Sequence, residues 1–236
     1  MSEWAAKRFW KTVEIAENDL GFGITLDGRP VKTPLKAALT VPTKELAERV
    51  ANEWDAVEEK IDPREMPFTR SVNAALDKVS IQHTEVANLI ADYADSDLLC
   101  YRADTPIELV KLQDDAWGPL LDWVNSKHGV EFTVNTGIMH RAQPEKTVAY
   151  LREWTHGLDN FKLTGFHDLV SLSGSFVLGM AAAERAFEPA KIWEYSRVDE
   201  NWQAEQWGND DEADSVAELK QHSFFHACEF FQLIEQ

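Results

Sequence analysis

The chain has 236 residues, 44% of them apolar, with 23 Lys and Arg against 41 Asp and Glu and a net charge of −18. That length accommodates one large domain or two small ones around a real core. The excess of carboxylates excludes a phosphate backbone or an anionic bilayer as the main partner, because both are held through clustered Lys and Arg.

From Arg8 to about Pro42 apolar and polar residues alternate with period two, so the opening segment predicts strands. Phe9, Lys11, Val13 and Ile15 form one alternating set, and Phe22, Ile24 and Leu26 form a second that runs into Asp27-Gly28. Asp-Gly between two such runs predicts a hairpin, with Gly28 supplying positive φ, and a short further strand is expected over 39–41. At Thr43 the period changes: Leu46, Val50, Trp54 and Val57 share one face of a helix whose start Thr43 can cap.

After the Pro-interrupted segment 61–67 the pattern is helical, with helices predicted over 70–77, 81–93, 106–128, 144–157, 161–186, 189–206 and 211–235. Thr105-Pro106-Ile107-Glu108 has the composition of a capping box, with Thr105 at the cap and Pro106 at the first helical position. Gly129 is placed to stop that helix. In 161–186, Gly165, Ser171, Gly174, Ser175 and Gly179 would let neighbouring helices approach closely. The resulting fold class is α+β: an N-terminal domain over 1–68, made of a small antiparallel sheet and a helix, and an all-helical C-terminal domain over 69–236.

Residues 169–183 form the longest uncharged apolar stretch, shorter than the roughly 20 residues of a membrane span, so a buried helix is expected and not an insertion. The start, Met1-Ser2-Glu3-Trp4, lacks the apolar run of a secretory signal, and Cys100 and Cys228 form no paired motif; a reducing, cytoplasmic setting is expected.

Motifs for catalysis are sparse. Gly21-Phe22-Gly23 lies between strands and is too short for a phosphate loop, so it is read as a turn or bulge. Ser173-Gly174-Ser175 is not a nucleophile elbow and is read as a packing element. His222 and His226 stand four apart near Cys228 and Glu229, which leaves a small metal-dependent hydrolase using His222, His226 and Glu229 as an alternative function. The Ser-Phe-Phe between the histidines lacks the Glu of a zinc protease helix and favours a packed or exposed pair. No cofactor is implied.

Tryptophan is the conspicuous residue, with nine in the chain, and Trp193, Trp202 and Trp207 fall in one acidic segment. Trp193, Arg197, Glu200, Ala204 and Trp207 step by four and three along one predicted helical stripe. Aromatic and Arg residues together have the composition of a protein-binding hot spot; a buried Arg197–Glu200 pair among core tryptophans is the competing reading.

Segments in order along almost the whole chain resemble one family. They are Arg8-Phe9-Trp10-Lys11-Thr12-Val13, Gly23 to Pro34, Leu39 to Pro42, Glu53-Trp54-Asp55, Met66-Pro67 to Asn73, and Asp97 to Arg102 leading to Leu109 and Trp117. Gly137-Ile138-Met139 and Ser196-Arg197 through Trp207-Gly208-Asn209 complete the set. These resemble the assembly chaperones of the catalytic sector of F-type ATP synthase, the family that binds the unassembled alpha subunit.

The resemblance implies a non-catalytic holdase, an alpha-subunit partner later displaced by beta, and no bound nucleotide; the net charge argues against nucleic acid, and a protein that must release its client is expected to be a monomer. The resemblance also implies a functional acidic position at Glu200 or its neighbour Asp199, within a partner-binding segment containing Trp193, Arg197, Trp202 and Trp207. Trp54 is read as structural, with a loss of about 3–5 kcal/mol on removal if fully buried. Without a visible targeting extension the chain is expected in a bacterial cytoplasm, where eukaryotic relatives would occupy the mitochondrial matrix.

Overall fold

A computed structural model describes residues 7–208 and 210–234. Met1–Ala6, Asn209 and the last two residues lie outside the described residues; the leader reading, the end of one resemblance segment and the end of the final predicted helix fall on them. The chain divides into two compact units. One contains the described residues up to His83, with Asn160–Gly165 and the residues from Glu229 onward; the other contains Thr84–Asp159 and Phe166–Cys228.

The first unit is the α+β part. Strand β1 (Val13–Asn18) pairs antiparallel with β2 (Gly21–Leu26), in a register running from Val13 opposite Leu26 to Asn18 opposite Gly21. Gly21 begins β2 at φ +129°, where a Cβ would sit 2.3 Å from the Val41 carbonyl oxygen, so glycine is required there. Asp27 and Gly28 have φ of 49° and 76°, the paired positive values that the Asp-Gly signal demands, and the chain returns as β3 (Arg29–Pro30). Strand β4 (Thr40–Val41) pairs with the other end of β2.

The alternation that begins at Phe9 does not form a strand before Val13. Instead the Asp27 carboxylate accepts from the amides of Lys11 and Thr12, at 3.0 and 2.9 Å, and holds that stretch out of the ladder. The same amide bonds lower the Asp27 pKa.

Helix α1 (Lys44–Ala56) is capped by Thr43 Oγ1, which accepts from Leu46 N. Its Leu46, Ala47 and Val50 are buried with Ile24, Leu26, Leu39 and Val41. Trp54 is partly buried, edge-on to Trp10 at 5.3 Å between centroids. Helix α2 (Pro67–Ala74) starts three residues earlier than the periodicity predicts, because its cap comes from elsewhere in the chain. The Glu53 carboxylate accepts from Phe68 N at 2.6 Å, Thr69 N at 2.7 Å and Thr69 Oγ1 at 2.7 Å. A π-helical turn, Ala75–Val79, follows α2.

The second unit is helical apart from a short parallel pair. After α3 (His83–Ala91), strand β5 (Tyr101–Arg102) pairs with β6 (Asn135–Thr136), and between them runs α4 (Ile107–His128). Gly129 ends α4 with φ +66°, as its position in the sequence suggests. The capping box at the other end does not form. Pro106 has ψ of 162° and is itself the extended N-cap, and Thr105 Oγ1 contacts Asp104 Oδ1 at 3.4 Å instead of a helix amide. Thr105 is therefore one residue too early to cap.

Next come α5 (Glu145–His156), α6 (Asn160–Ser173), α7 (Phe176–Ala183), α8 (Pro189–Ser196), α9 (Val198–Trp207) and α10 (Asp211–Ile234). Two predicted long helices are thus each broken into two. The 161–186 helix breaks at Gly174, φ +73°, where Ser175 caps α7 by accepting from Leu178 N. Fully buried Asp97 anchors that break, accepting from Ser175 Oγ at 2.8 Å and Val177 N at 3.0 Å. The 189–206 helix breaks at Arg197, whose φ of −116° and ψ of 15° separate α8 from α9. Among the described residues no helix is long and apolar enough to cross a membrane.

Candidate functional site

The break at Arg197 determines what the tryptophan stripe becomes. α8 is anchored inward: Trp193 is buried against Phe224, 5.7 Å between ring centroids, and Ser196 Oγ donates to the Trp193 carbonyl. α9 then leaves in a new direction with none of its described residues fully buried. Although the single helix is lost, Trp193, Arg197, Glu200, Ala204 and Trp207 still line one groove of about 610 Å³, closed on its far side by Ala213, Ala217 and Gln221 of α10. Trp193 forms its floor, and Trp207 stands at its rim as one of the most exposed large side chains.

Arg197 and Glu200 are neither a buried pair nor two free charges. Arg197 Nη1 donates to Glu200 Oε1 at 2.9 Å, with the arginine mostly covered and the glutamate half exposed. Glu200 and Asp199 occupy the first turn of α9, where carboxylates complement the amide ends. Asp199 points the other way: its Oδ1 accepts from Gln113 Nε2 at 2.7 Å, while Gln113 Oε1 accepts from Ala103 N at 2.8 Å. The two adjacent acids therefore have different work, Asp199 fastening α9 to buried Gln113 and Glu200 facing the groove.

A second groove, about 600 Å³, lies on the opposite flank of α9. Trp202, Gln203 and Trp207 face Tyr101–Pro106, Leu109 and Ile138 across it. Beneath it Arg102 is buried, its Nε donating to the Leu99 carbonyl and its Nη1 to Asp114, with the guanidinium 4.9 Å over the Trp117 ring. Burial lowers the Arg102 pKa, while the Asp114 and Asp199 charges oppose that shift. Trp117 Nε1 donates to the Tyr195 carbonyl, tying α4 to the end of α8.

The remaining candidates have separate settings. Gly28 is the hairpin residue and Trp54 lies in the first unit's core, while Thr105 lines the second groove. His222 Nδ1 donates to the Glu218 carbonyl and Glu229 pairs with Arg49 at 2.5 Å. Burial pushes the Cys228 pKa up to about 12, which keeps the thiol protonated. Among the described residues no group of three or more His, Cys, Asp or Glu is placed to hold a metal ion, so the hydrolase alternative gains no support. Sequence reasoning passed over Gln113 and the exposed Ile138 and Met139. The first has no motif, and the other two were visible only as part of a resemblance segment.

Both grooves are lined in part by tryptophan, a residue type enriched at protein interfaces. The chain belongs to the ATP12 chaperone family, whose model, ATP12 chaperone protein, matches residues 7–125. The structure is similar to that of Atp12 from Paracoccus denitrificans and to a mutant of the same protein. Each has TM-score 0.96 and 40% identity, covering 99% of this chain and 100% of the other. It is also similar to the Atu1473 protein of Agrobacterium tumefaciens, with TM-score 0.92 and 37% identity over 97% of this chain and 86% of that one. Protein atp12, mitochondrial, of Schizosaccharomyces pombe is 26% identical over 222 residues, 89% of this chain and 76% of that protein.

Proposed function

We propose that this chain is a non-catalytic chaperone of F-type ATP synthase assembly that binds the unassembled alpha subunit. It covers alpha's apolar subunit interface and gives it up to beta. The observation that carries the reading is similarity over the full length of Atp12, joined to an acidic, tryptophan-walled groove on α9. An isolated ring subunit exposes an interface large enough to drive self-association, and a protein that masks it keeps the subunit soluble. Release requires no nucleotide, because a partner that buries more of the same interface displaces the chaperone by mass action. The partner-binding residues we assign are Glu200, Arg197, Trp202 and Trp207, with Trp193 and Asp199 holding them in place. We place the protein in a bacterial cytoplasm as a monomer.

Co-expression with the organism's own alpha subunit, followed by size-exclusion chromatography with and without beta, tests the reading. A soluble one-to-one complex that beta dissolves supports it; aggregated alpha beside free chaperone overturns it. Glu200→Lys is expected to weaken alpha binding about tenfold in titration calorimetry. The fold should persist, since placing Lys three residues after Arg197 costs only about 0.5 kcal/mol. Unchanged affinity would remove Glu200 from the site.

A further inference from the structure

The loop after β6 holds large apolar side chains out in water while being firmly tied down. Ile138 is 92% exposed and Met139 77%, and across the second groove Trp207 is 79% exposed. The loop itself is pinned at several points. Gly137, at φ +84°, donates its amide to the Arg102 carbonyl at 2.8 Å; Asn135 Nδ2 donates to the Met139 carbonyl at 2.6 Å; and the His140 ring contacts Tyr101 Oη at 3.2 Å and Asp95 Oδ2 at 3.3 Å. A loop so tied cannot fold its apolar tip back over the protein. The exposure is therefore built into the surface and is not a product of slack.

Of the charged residues that line the groove, Asp104 is exposed and Asp199 is partly covered, with one oxygen held by Gln113. The groove's cation, Arg102, is buried and satisfied by the Leu99 carbonyl and Asp114, so it offers nothing to a ligand. Apolar posts on both walls with carboxylates between them complement a segment that carries apolar anchors beside Lys or Arg.

We propose that the groove between Ile138 and Trp207 is a docking site for a basic, amphipathic segment of the client, with Ile138 on the wall opposite α9 and exposed Met139 next to it in the chain. This deepens the function proposed above and rests on it for the identity of the client, but the chemistry of the groove can be tested without alpha.

The probe is a fluorescently labelled twelve-residue Leu/Lys amphipathic peptide, compared with its Leu/Glu counterpart by anisotropy titration. The Leu/Lys peptide should bind the wild type. The double variant Ile138→Ser, Met139→Ser, which removes the apolar anchors without adding charge, should lose at least tenfold in affinity, whereas Leu20→Ser, at an equally exposed apolar residue of the β1–β2 turn, should leave it unchanged. All three proteins should give the same circular dichroism. Equal binding of both peptides, or undiminished binding by the double variant, overturns the site. If the peptide results hold and alpha nonetheless fails to form a complex, the groove stands and the choice of client falls.

Discussion

Asp97 shows how much can rest on one buried side chain. It is fully covered, and its carboxylate accepts from Leu99 N at 2.9 Å as well as from Ser175 Oγ and Val177 N. Burial raises its pKa above the usual 3.8, and the amide and hydroxyl donors pull it only partly back. A raised carboxylate pKa means that the native state holds the proton more tightly than the unfolded chain. The contribution of this group is then complete below about pH 3.8 and declines as pH rises through the folded value. Asp97→Asn keeps the shape but replaces one acceptor oxygen with a donor facing other donors, at a cost of roughly 2–3 kcal/mol. Urea unfolding should show that cost largest near pH 4 and narrowing toward pH 7; a gap that widens with pH would contradict the raised pKa.

At the same scale, Trp54 is partly covered, and its Nε1 is buried with no partner among the described residues. Trp54→Ala should cost about 3 kcal/mol through lost packing against Trp10. Trp54→Phe, which keeps a ring and deletes the orphaned donor, should stay within about 1 kcal/mol of the wild type. Thermal melts of the two variants distinguish packing from hydrogen bonding as the role of this residue.

The helices divide according to what their glycines touch. In α7 a Cβ on Gly179 would lie 2.7 Å from Val170 Cγ2 and 3.2 Å from Val170 N, and the backbone atom has no room to yield. Gly179→Ala therefore loses about 1–3 kcal/mol to overpacking, which exceeds the gain of about 1 kcal/mol in helix propensity. Gly118 in α4 has nothing within 4 Å of its would-be Cβ, so Gly118→Ala should stabilise by about 0.5–1 kcal/mol. Opposite shifts in urea midpoint are the expected result, and equal shifts would mean that neighbour contacts do not decide the sign.

Helix breaks were the least legible feature of the sequence. α7 is buried on every side, so its residues carry no polar face whose period could mark an end. The break at Gly174 depends on Asp97, 77 positions earlier and invisible to any local pattern. The hairpin at Asp27-Gly28 and the Thr43 cap were legible because both are settled by residues within a few positions. The α9 site was half legible: spacing picked out the residues that share a groove, but not the joint at Arg197 that turns Trp193 inward and Trp207 outward.

For the molecule as a whole the dominant electrostatic fact is a net charge of −18. Ion pairs oppose that repulsion only weakly. Arg64–Asp62, Lys44–Glu48 and Lys191–Glu194 are largely solvent-exposed, and pairs of this kind contribute little. Lys127 with Glu184, and Arg102 with Asp114, each have one well-covered partner and resist screening better. Added salt therefore removes more repulsion than attraction. Raising sodium chloride from about 10 to 300 mM shortens the screening length from roughly 30 Å to under 10 Å. It should stabilise the fold by on the order of 1 kcal/mol, a rise of about 3 °C in melting midpoint. Calorimetry at the two concentrations checks this. A falling midpoint would mean that the acidic surface is held together by its pairs, and that the excess charge is kept for binding at no cost to folding.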